Sequence, residues 1–500
     1  MSLHHKMSYH LVTLGCQMNK SDSERVRTVL EQLGYTWTEQ DDTADLIGIL
    51  ACSVRQKAID KVYSRIHKWN TWKKNRNLLT FLTGCVLPAD KEKLLKLFDF
   101  VFPIEELRNF ENLIRHYGVS TPLSLNQPMR NVIADIPSQT DDLTEVSKSF
   151  DRIELARENR KFSEVDAKPK KAGKQSLINL GDFWRIDPVY SSDFEAFIPI
   201  QNGCDKFCSF CAVPYTRGRE VSRPSEEILE EINQLLQKNY KSITLLGQNV
   251  NSYGRDKKGN EISFQELLDR IGQLCDNSGK EIWVYFTSPH PHDMTEAVIK
   301  VISRYKSLAK QIHLPIQSGD DQLLVSMNRK HTIDKYRKII QYIRRHIPNA
   351  TIFTDIIVGF NGETSEQFEN TRKIMEEIRF NMAYIAMYSP RPGAVSSKWT
   401  DDIPQEVKKE RLFILSEELK KYSSEYNNKM IGQTHRVLVT GCNRKAGFLS
   451  GHTEGKIIVR FPSNNQDLIG EFVDINLTSA ADFSVEGNLS VVRKTEIVKS

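Results

Sequence analysis

Three times between Tyr9 and Val86 the sequence repeats one unit: a short apolar run, a cysteine, then a helix-like amphipathic stretch. The runs are YHLVTLG before Cys16, ADLIGILA before Cys52 and LLTFLTG before Cys85. Such alternation predicts a small parallel α/β domain, whose ligands gather outside the carboxyl ends of the strands. Three cysteines far apart in sequence then either meet at one point or sit as small buried residues at three strand ends.

The segment Met1–His10 has no apolar core ahead of a small-residue cleavage site, so the chain is expected in the cytoplasm with its thiols reduced. There, spaced cysteines serve as metal ligands or catalysts sooner than as disulfides. Of the eight cysteines, Cys204, Cys208 and Cys211 stand as C-x3-C-x2-C in GCDKFCSFC, directly after an apolar run. Three thiolates suit iron–sulfur ligation, and a four-iron cluster on three cysteines keeps one iron open to a ligand. A zinc site would want a fourth ligand nearby, and Asp205 and Glu220 lack zinc-like spacing. Cys275, in FQELLDRIGQLC, and Cys442 read as structural residues.

At 500 residues the chain exceeds one hydrophobic core, and no apolar run approaches the roughly 20 residues of a membrane span, so no membrane partner is expected. The fold class is α/β, with three domains and a connector. Residues 8–118 form the small α/β domain, and residues 119–192 a polar linker or insertion, helical around Leu143–Lys161. Residues 193–426 carry six β-like runs: FIPIQ, SITLLG, IWVYF, QIHLPI, TIFTDIIVG and AYIAMY. Helical segments alternate with them, starting near Pro224, Ser263, Pro291, Thr332, Glu363 and Pro404. Six such units fit a partial (β/α)6 barrel with its functional residues at the carboxyl strand ends. Residues 427–497 show short β-like stretches (HRVLVT, GKIIVRF, FVDINL, NLSVVR) and predict a small β-barrel, an architecture that binds oligonucleotides. The net charge of +5 does not by itself identify a polyanion partner.

The cysteine loop, with Phe210 before its last cysteine, resembles the signature of the radical S-adenosylmethionine (SAM) superfamily. The resemblance implies that SAM chelates the open iron, that one electron cleaves it to a 5′-deoxyadenosyl radical, and that Phe210 lies against the adenine. From about Ser8 to Val492 further segments resemble the methylthiotransferases: TLGCQMN, ACSVRQKA, TGCV, LLGQNVNSYG, FTSPHPHDM, HLPIQSGDD, MNRKHT, DIIVGFNGE and YSPRPG. This implies two [4Fe-4S] clusters, the second held by Cys16, Cys52 and Cys85 and supplying sulfur. It also implies two SAM molecules per product. ACSVRQKA, VPYTRGREVSRP, GQNVNSYG and TSPHP most resemble the branch that converts N6-dimethylallyladenosine at tRNA position 37 to its 2-methylthio derivative. The alternatives act on threonylcarbamoyladenosine in tRNA or on an aspartate of a ribosomal protein. The C-terminal segment is similar to the RNA-binding TRAM domain. Two departures are Asn361, where proline is usual, and the length of the stretch from Gly118 to Ser192.

Beyond the six cysteines, cofactor contacts fall on Phe210, Gln248, Asn249, Gln317, Ser318 and Arg329. The last follows QIHLPI with a planar fork suited to the SAM carboxylate. His290 and His292 are expected to shape the substrate site or bond locally. Arg217, Arg219 and Arg223 are basic candidates for phosphate or for the carboxylate of threonylcarbamoyladenosine. In the terminal barrel Arg436, Arg444, Lys445, Lys456, Arg460 and Phe461 offer phosphate contacts and a stacking face. The expected partners are tRNA, an electron donor of the flavodoxin or ferredoxin type, and sulfur-supply proteins. A non-catalytic iron–sulfur protein that binds RNA is the competing class.

Overall fold

The computed structural model describes residues 7–52, 56–116 and 180–490. The stretch with the expected helix at Leu143–Lys161, together with residues 53–55 and 491–497, lies outside the described residues. The chain divides into two units, Met1–Ser191 and Ser192–Ser500.

In the first unit the three repeated runs become strands of one parallel sheet. Its strands are β1 (Ser8–Thr13), β2 (Thr36–Trp37), β3 (Leu46–Cys52), β4 (Leu79–Cys85) and β5 (Phe100–Val101), in the order β2-β1-β3-β4-β5. β3 is buried along its whole length, which is why ADLIGILA reads as continuous apolar sequence rather than as alternation. Ile47 and Ile49 pack with Ile59, Val62, Ile66 and Trp69 of the helix Gln56–Trp72. β2 and β5 are two residues long and carry no pattern that sequence could reveal. The strand order reverses between β1 and β3, the place where open sheets of this kind bind ligands. Leu180–Trp184 forms a short helix of this unit, and nearby Glu24 accepts hydrogen bonds from the Ser191 backbone N–H (3.0 Å) and hydroxyl (2.7 Å).

The second unit begins with β6 (Glu195–Pro199), the short antiparallel pair β7 (Gln201–Asn202) and β8 (Val221–Ser222), and β9 (Ser242–Leu246). There follow β10 (Trp283–Phe286), β11 (Gln311–His313), β12 (Thr351–Val358) and β13 (Met382–Met387). The parallel sheets β10-β9-β6 and β11-β12-β13 are linked by a bridge between Val284 and Leu308, giving six parallel strands in chain order. This is the expected partial (β/α)6 arc. Its helices start where cap residues stand: the side chains of Ser263, Thr332 and Thr364 accept backbone N–H groups of Glu266, Lys335 and Gln367. The start near Pro291 is displaced. Pro291–Asp293 makes only a 3-10 turn, and the helix begins at Glu296, where the Thr295 hydroxyl caps Val298.

The chain ends in a closed barrel: β14 (Thr434–Cys442), β15 (Phe448–Thr453), β16 (Ile458–Pro462), β17 (Phe472–Ala481) and β18 (Ser484–Leu489), ordered β14-β15-β16-β18-β17. β15, FLSGHT, was not expected as a strand because it is polar and contains glycine. Gly451 is there for space, since a Cβ would lie 2.3 Å from the Leu438 carbonyl oxygen. NLSVVR is likewise shifted: β18 runs from Ser484 to Leu489 and stops where that expected strand was to begin. This barrel seals the amino ends of the central strands. Trp283 meets Phe472 edge to face at 4.6 Å, the Tyr285 hydroxyl donates to the Glu454 carbonyl (3.0 Å), and Arg436 forks onto Glu281 (2.9 and 2.7 Å).

Candidate metal centres

In the first unit, Cys52 and Cys85 are the last residues of β3 and β4 and pair directly in the parallel ladder. Cys16 follows β1 and stands at the N-terminal boundary of the helix Gln17–Gln32 without a side-chain cap bond. Asn19, wholly buried in the first turn of that helix, draws the set together. Its Oδ1 lies 3.7 Å from both Cys16 Sγ and Cys85 Sγ, and its Nδ2 donates to the Ala51 carbonyl at 2.7 Å. Gly15, at φ +153°, completes the close approach: a Cβ there would sit 2.9 Å from Cys52 Cβ. The strand-end geometry thus sets Cys16 and Cys85 against one buried amide, with Cys52 paired beside Cys85 in the ladder.

In the second unit Cys204, Cys208 and Cys211 lie on the loop after β7, at the carboxyl end of the arc. Gln248, just after β9, anchors it by accepting the Gly203 N–H at 2.5 Å. Burial pushes the Cys204 thiol up to about 12 and the Cys211 thiol up to about 11, and the proximity of the three sulfurs adds to both shifts. Such thiols ionise only when a cation takes the place of their protons. Among the described residues no trio of His, Cys, Asp or Glu is drawn tightly enough to grip a single ion. Three thiols on one loop suit a cluster, in which each cysteine binds a different iron.

Around this loop the structure collects the polar groups at the carboxyl strand ends. Arg329 directs Nη1 to Cys208 Sγ (3.5 Å) and Nη2 to the Pro315 carbonyl (2.9 Å). Its Nε, Asn249 Oδ1 and His290 Nε2 are buried without a hydrogen-bond partner. Unsatisfied buried groups of this kind mark a place for a polar ligand. Burial and the nearby Arg329 charge hold His290 far below the ordinary histidine range and bring His331 down to about 3, so both imidazoles are neutral. Asp293 is the counterweight: although burial favours its protonated form, hydrogen bonds from Lys206 and His292 keep it ionised.

The remaining candidates have partners of their own. Phe210 is partly buried and meets Phe360 edge-on at 6.5 Å, with Met327 and Tyr388 nearby. Gln317 stands at φ +73°, its backbone bonded to Asp355 and Ile357 of β12. The Ser318 hydroxyl turns to Thr371 at 3.3 Å. Arg223 is spent on the buried Glu231, whereas Arg219 forks onto Asp205 from an exposed position. In the terminal barrel Phe461 is wholly buried, Arg436 is used on Glu281, and Lys456 lies 4.0 Å over the Tyr285 ring. The expected stacking face and two of the expected phosphate contacts are therefore core and junction. Arg444 and Lys445 remain exposed. Sequence reasoning assigned no role to Asn19, Lys206, Asn328 and His331, although TLGCQMN, GCDKFCSFC and MNRKHT contain them.

Models of known families match along the chain: "Uncharacterized protein family UPF0004" over residues 8–103, "Radical SAM superfamily" over 198–375 and "TRAM domain" over 428–489. A tRNA-2-methylthio-N(6)-dimethylallyladenosine synthase of Ectopseudomonas mendocina (strain ymp) is 35% identical over 96% of this chain and 97% of its own length. One of Yersinia pestis (strain Pestoides F) is 36% identical over 96% and 92%. Among solved structures, the radical S-adenosylmethionine methyltransferase TsrM from Kitasatospora setae is a distant likeness: 11% identity, TM-score 0.48, 89% of this chain and 77% of that one.

Proposed function

This chain belongs to the family of tRNA-2-methylthio-N(6)-dimethylallyladenosine synthases, within the radical SAM superfamily, and from that premise we propose that it replaces the C2 hydrogen of N6-dimethylallyladenosine in tRNA, beside the anticodon, with a methylthio group. The observation that carries the reading is the presence of two cysteine triads, each at carboxyl strand ends, in two separate units. Carbon 2 holds an unactivated C–H bond, which acid–base catalysis does not readily open; bound clusters with SAM supply radical chemistry and sulfur.

The chain's own groups hold and orient. Cys204, Cys208 and Cys211 hold the radical-generating cluster, and Cys16, Cys52 and Cys85 the sulfur-bearing one. Arg329 sets a permanent positive charge beside Cys208 and accommodates the SAM carboxylate through its unpartnered Nε, while Asn249 and His290 offer their free atoms to the same ligand. Phe210 and Gln317 border this site; Gln248 and Ser318 act by fixing the loops that form it. Neutral His290 and His331 keep added charge out of the pocket.

An electron donor of the flavodoxin or ferredoxin type and sulfur-supply proteins serve the reaction in the cytoplasm. No helix among the described residues is long and apolar enough to cross a membrane. The test is to reconstitute the protein anaerobically, reduce it and add SAM. Formation of 5′-deoxyadenosine is expected; its absence from fully loaded protein would return the chain to the class of non-catalytic iron–sulfur proteins.

A further inference from the structure

We propose that Phe207, on the cysteine loop, and Arg219, in the bend before its return strand, form a stacking platform for an unpaired nucleobase next to the one being modified. The proposal rests on the RNA-modifying reading and assigns to that site a residue pair that selects and seats the substrate.

Phe207 lies one residue before Cys208, yet the residue is 37% exposed. Its backbone stands at φ +47°, where glycine is free and a bulky side chain is penalised. Were the position needed only to turn the loop toward the next cysteine, glycine would serve better. An apolar side chain left more than a third exposed on strained backbone gains less from burial than a core residue, and such strain persists where the surroundings enforce it for another use.

The surroundings do enforce it. Asn328 donates its Nδ2 to the Phe207 carbonyl (2.8 Å) and to the Lys206 carbonyl (3.3 Å), while Lys330 donates to Asn328 Oδ1 at 2.6 Å. Asn328 itself sits at φ +54°. From the other side Arg219 holds its guanidinium 5.6 Å over the Phe207 ring, fixed by two bonds to Asp205 (2.6 and 2.9 Å). Its side chain is 65% exposed, so a stacked base meets both an aromatic face and a planar cation.

Proteins that take single-stranded RNA combine these elements: an aromatic face for a base, arginine beside it, and basic groups for the backbone. Exposed Lys330 supplies the last. Because the platform is ordered in advance, little conformational freedom is lost on binding. Adjacency to Cys208 places the stacked base beside the metal loop, as a neighbour of the reacting adenosine requires.

The experiment uses the full-length reconstituted protein and an anticodon stem-loop RNA with 2-aminopurine in place of a loop base adjoining the target. Stacking on the platform should quench its fluorescence. Phe207→Leu keeps bulk and backbone strain but has no π face; it should lose the quenching and weaken binding by about 5- to 100-fold. Phe207→Tyr should retain both, and Arg219→Gln, whose guanidinium bonds Asp205 rather than a cysteine, should weaken binding several-fold at unchanged iron content. Wild-type quenching and affinity in Phe207→Leu or, should the leucine variant lose iron, in Arg219→Gln would overturn the platform while leaving the enzyme reading intact. Failure of the wild-type protein to bind the stem-loop would overturn both.

Discussion

Cys52 and Cys85 are direct partners on adjacent parallel strands, each the last residue of its strand, so their side chains leave the sheet side by side. In a parallel ladder paired residues point to the same face, and the two thiols are therefore presented together by β3 and β4 before any metal is involved. Only Cys16 must be brought in from elsewhere, and Asn19 reaches both it and Cys85.

Asn19 is thus a positioning residue whose loss is felt at the first centre alone. Asn19→Leu leaves the Ala51 carbonyl without its 2.7 Å donor and should destabilise the first unit by about 1–3 kcal/mol. Asn19→Asp adds a negative charge beside thiolates and should release iron more readily than the leucine change. Iron titration and chemical unfolding of the two variants check this; equal retention of iron by wild type and Asn19→Asp would remove the amide from the site.

The two triads should separate by function. Changing Cys204, Cys208 and Cys211 to alanine should lower bound iron from about eight to about four and abolish SAM cleavage. Changing Cys16, Cys52 and Cys85 should spare SAM cleavage and abolish methylthiolation. Full product yield from the latter variant would make those cysteines structural.

The sequence disclosed the strands that carry apolar runs and the cysteines that end them, because burial on both faces writes itself as continuous apolar residues and a strand end fixes where the next residue goes. It did not disclose β15, whose Gly451 answers to the nearby Leu438 carbonyl rather than to local preference. Nor did it show that Phe461, Arg436 and Lys456 belong to a core and a junction, since an exposed and a buried basic or aromatic residue are spelled alike. Asn19 and Asn328 stand in the motifs TLGCQMN and MNRKHT, but their roles appear only when folding places them against sulfur and strained backbone.

That junction yields a stability prediction. Trp283→Ala should destabilise the second unit by about 3–5 kcal/mol, because it opens a cavity between the terminal barrel and β10. A double-mutant cycle with Phe472→Ala should return a coupling of about 0.5–1.5 kcal/mol for the edge-to-face pair. Additive losses would mean that the two rings do not act together. By the same argument, deleting the chain after Asn427 should lower thermal stability as well as tRNA affinity.

Lys456 gives the junction a pH signature. Burial lowers its ammonium to about 8, against a smaller opposing pull from Glu195, while His452 Nε2 lies 3.0 Å away and stays neutral. With the folded value below the unfolded one, the unfolded chain binds the proton more tightly. Stability should therefore rise as pH goes from about 8 into the ordinary lysine range near 10.4, and this contribution should be flat below about 8. Denaturant midpoints across that window should climb less in Lys456→Met than in wild type; parallel curves would contradict the assignment.

The most direct test is nucleoside mass spectrometry of tRNA treated with reduced, fully reconstituted protein and SAM. The tRNA should carry N6-dimethylallyladenosine, threonylcarbamoyladenosine or neither. The proposed function predicts a methylthio mass increase on the dimethylallyl nucleoside alone; product from the threonylcarbamoyl tRNA alone, or from none while 5′-deoxyadenosine accumulates, would contradict it.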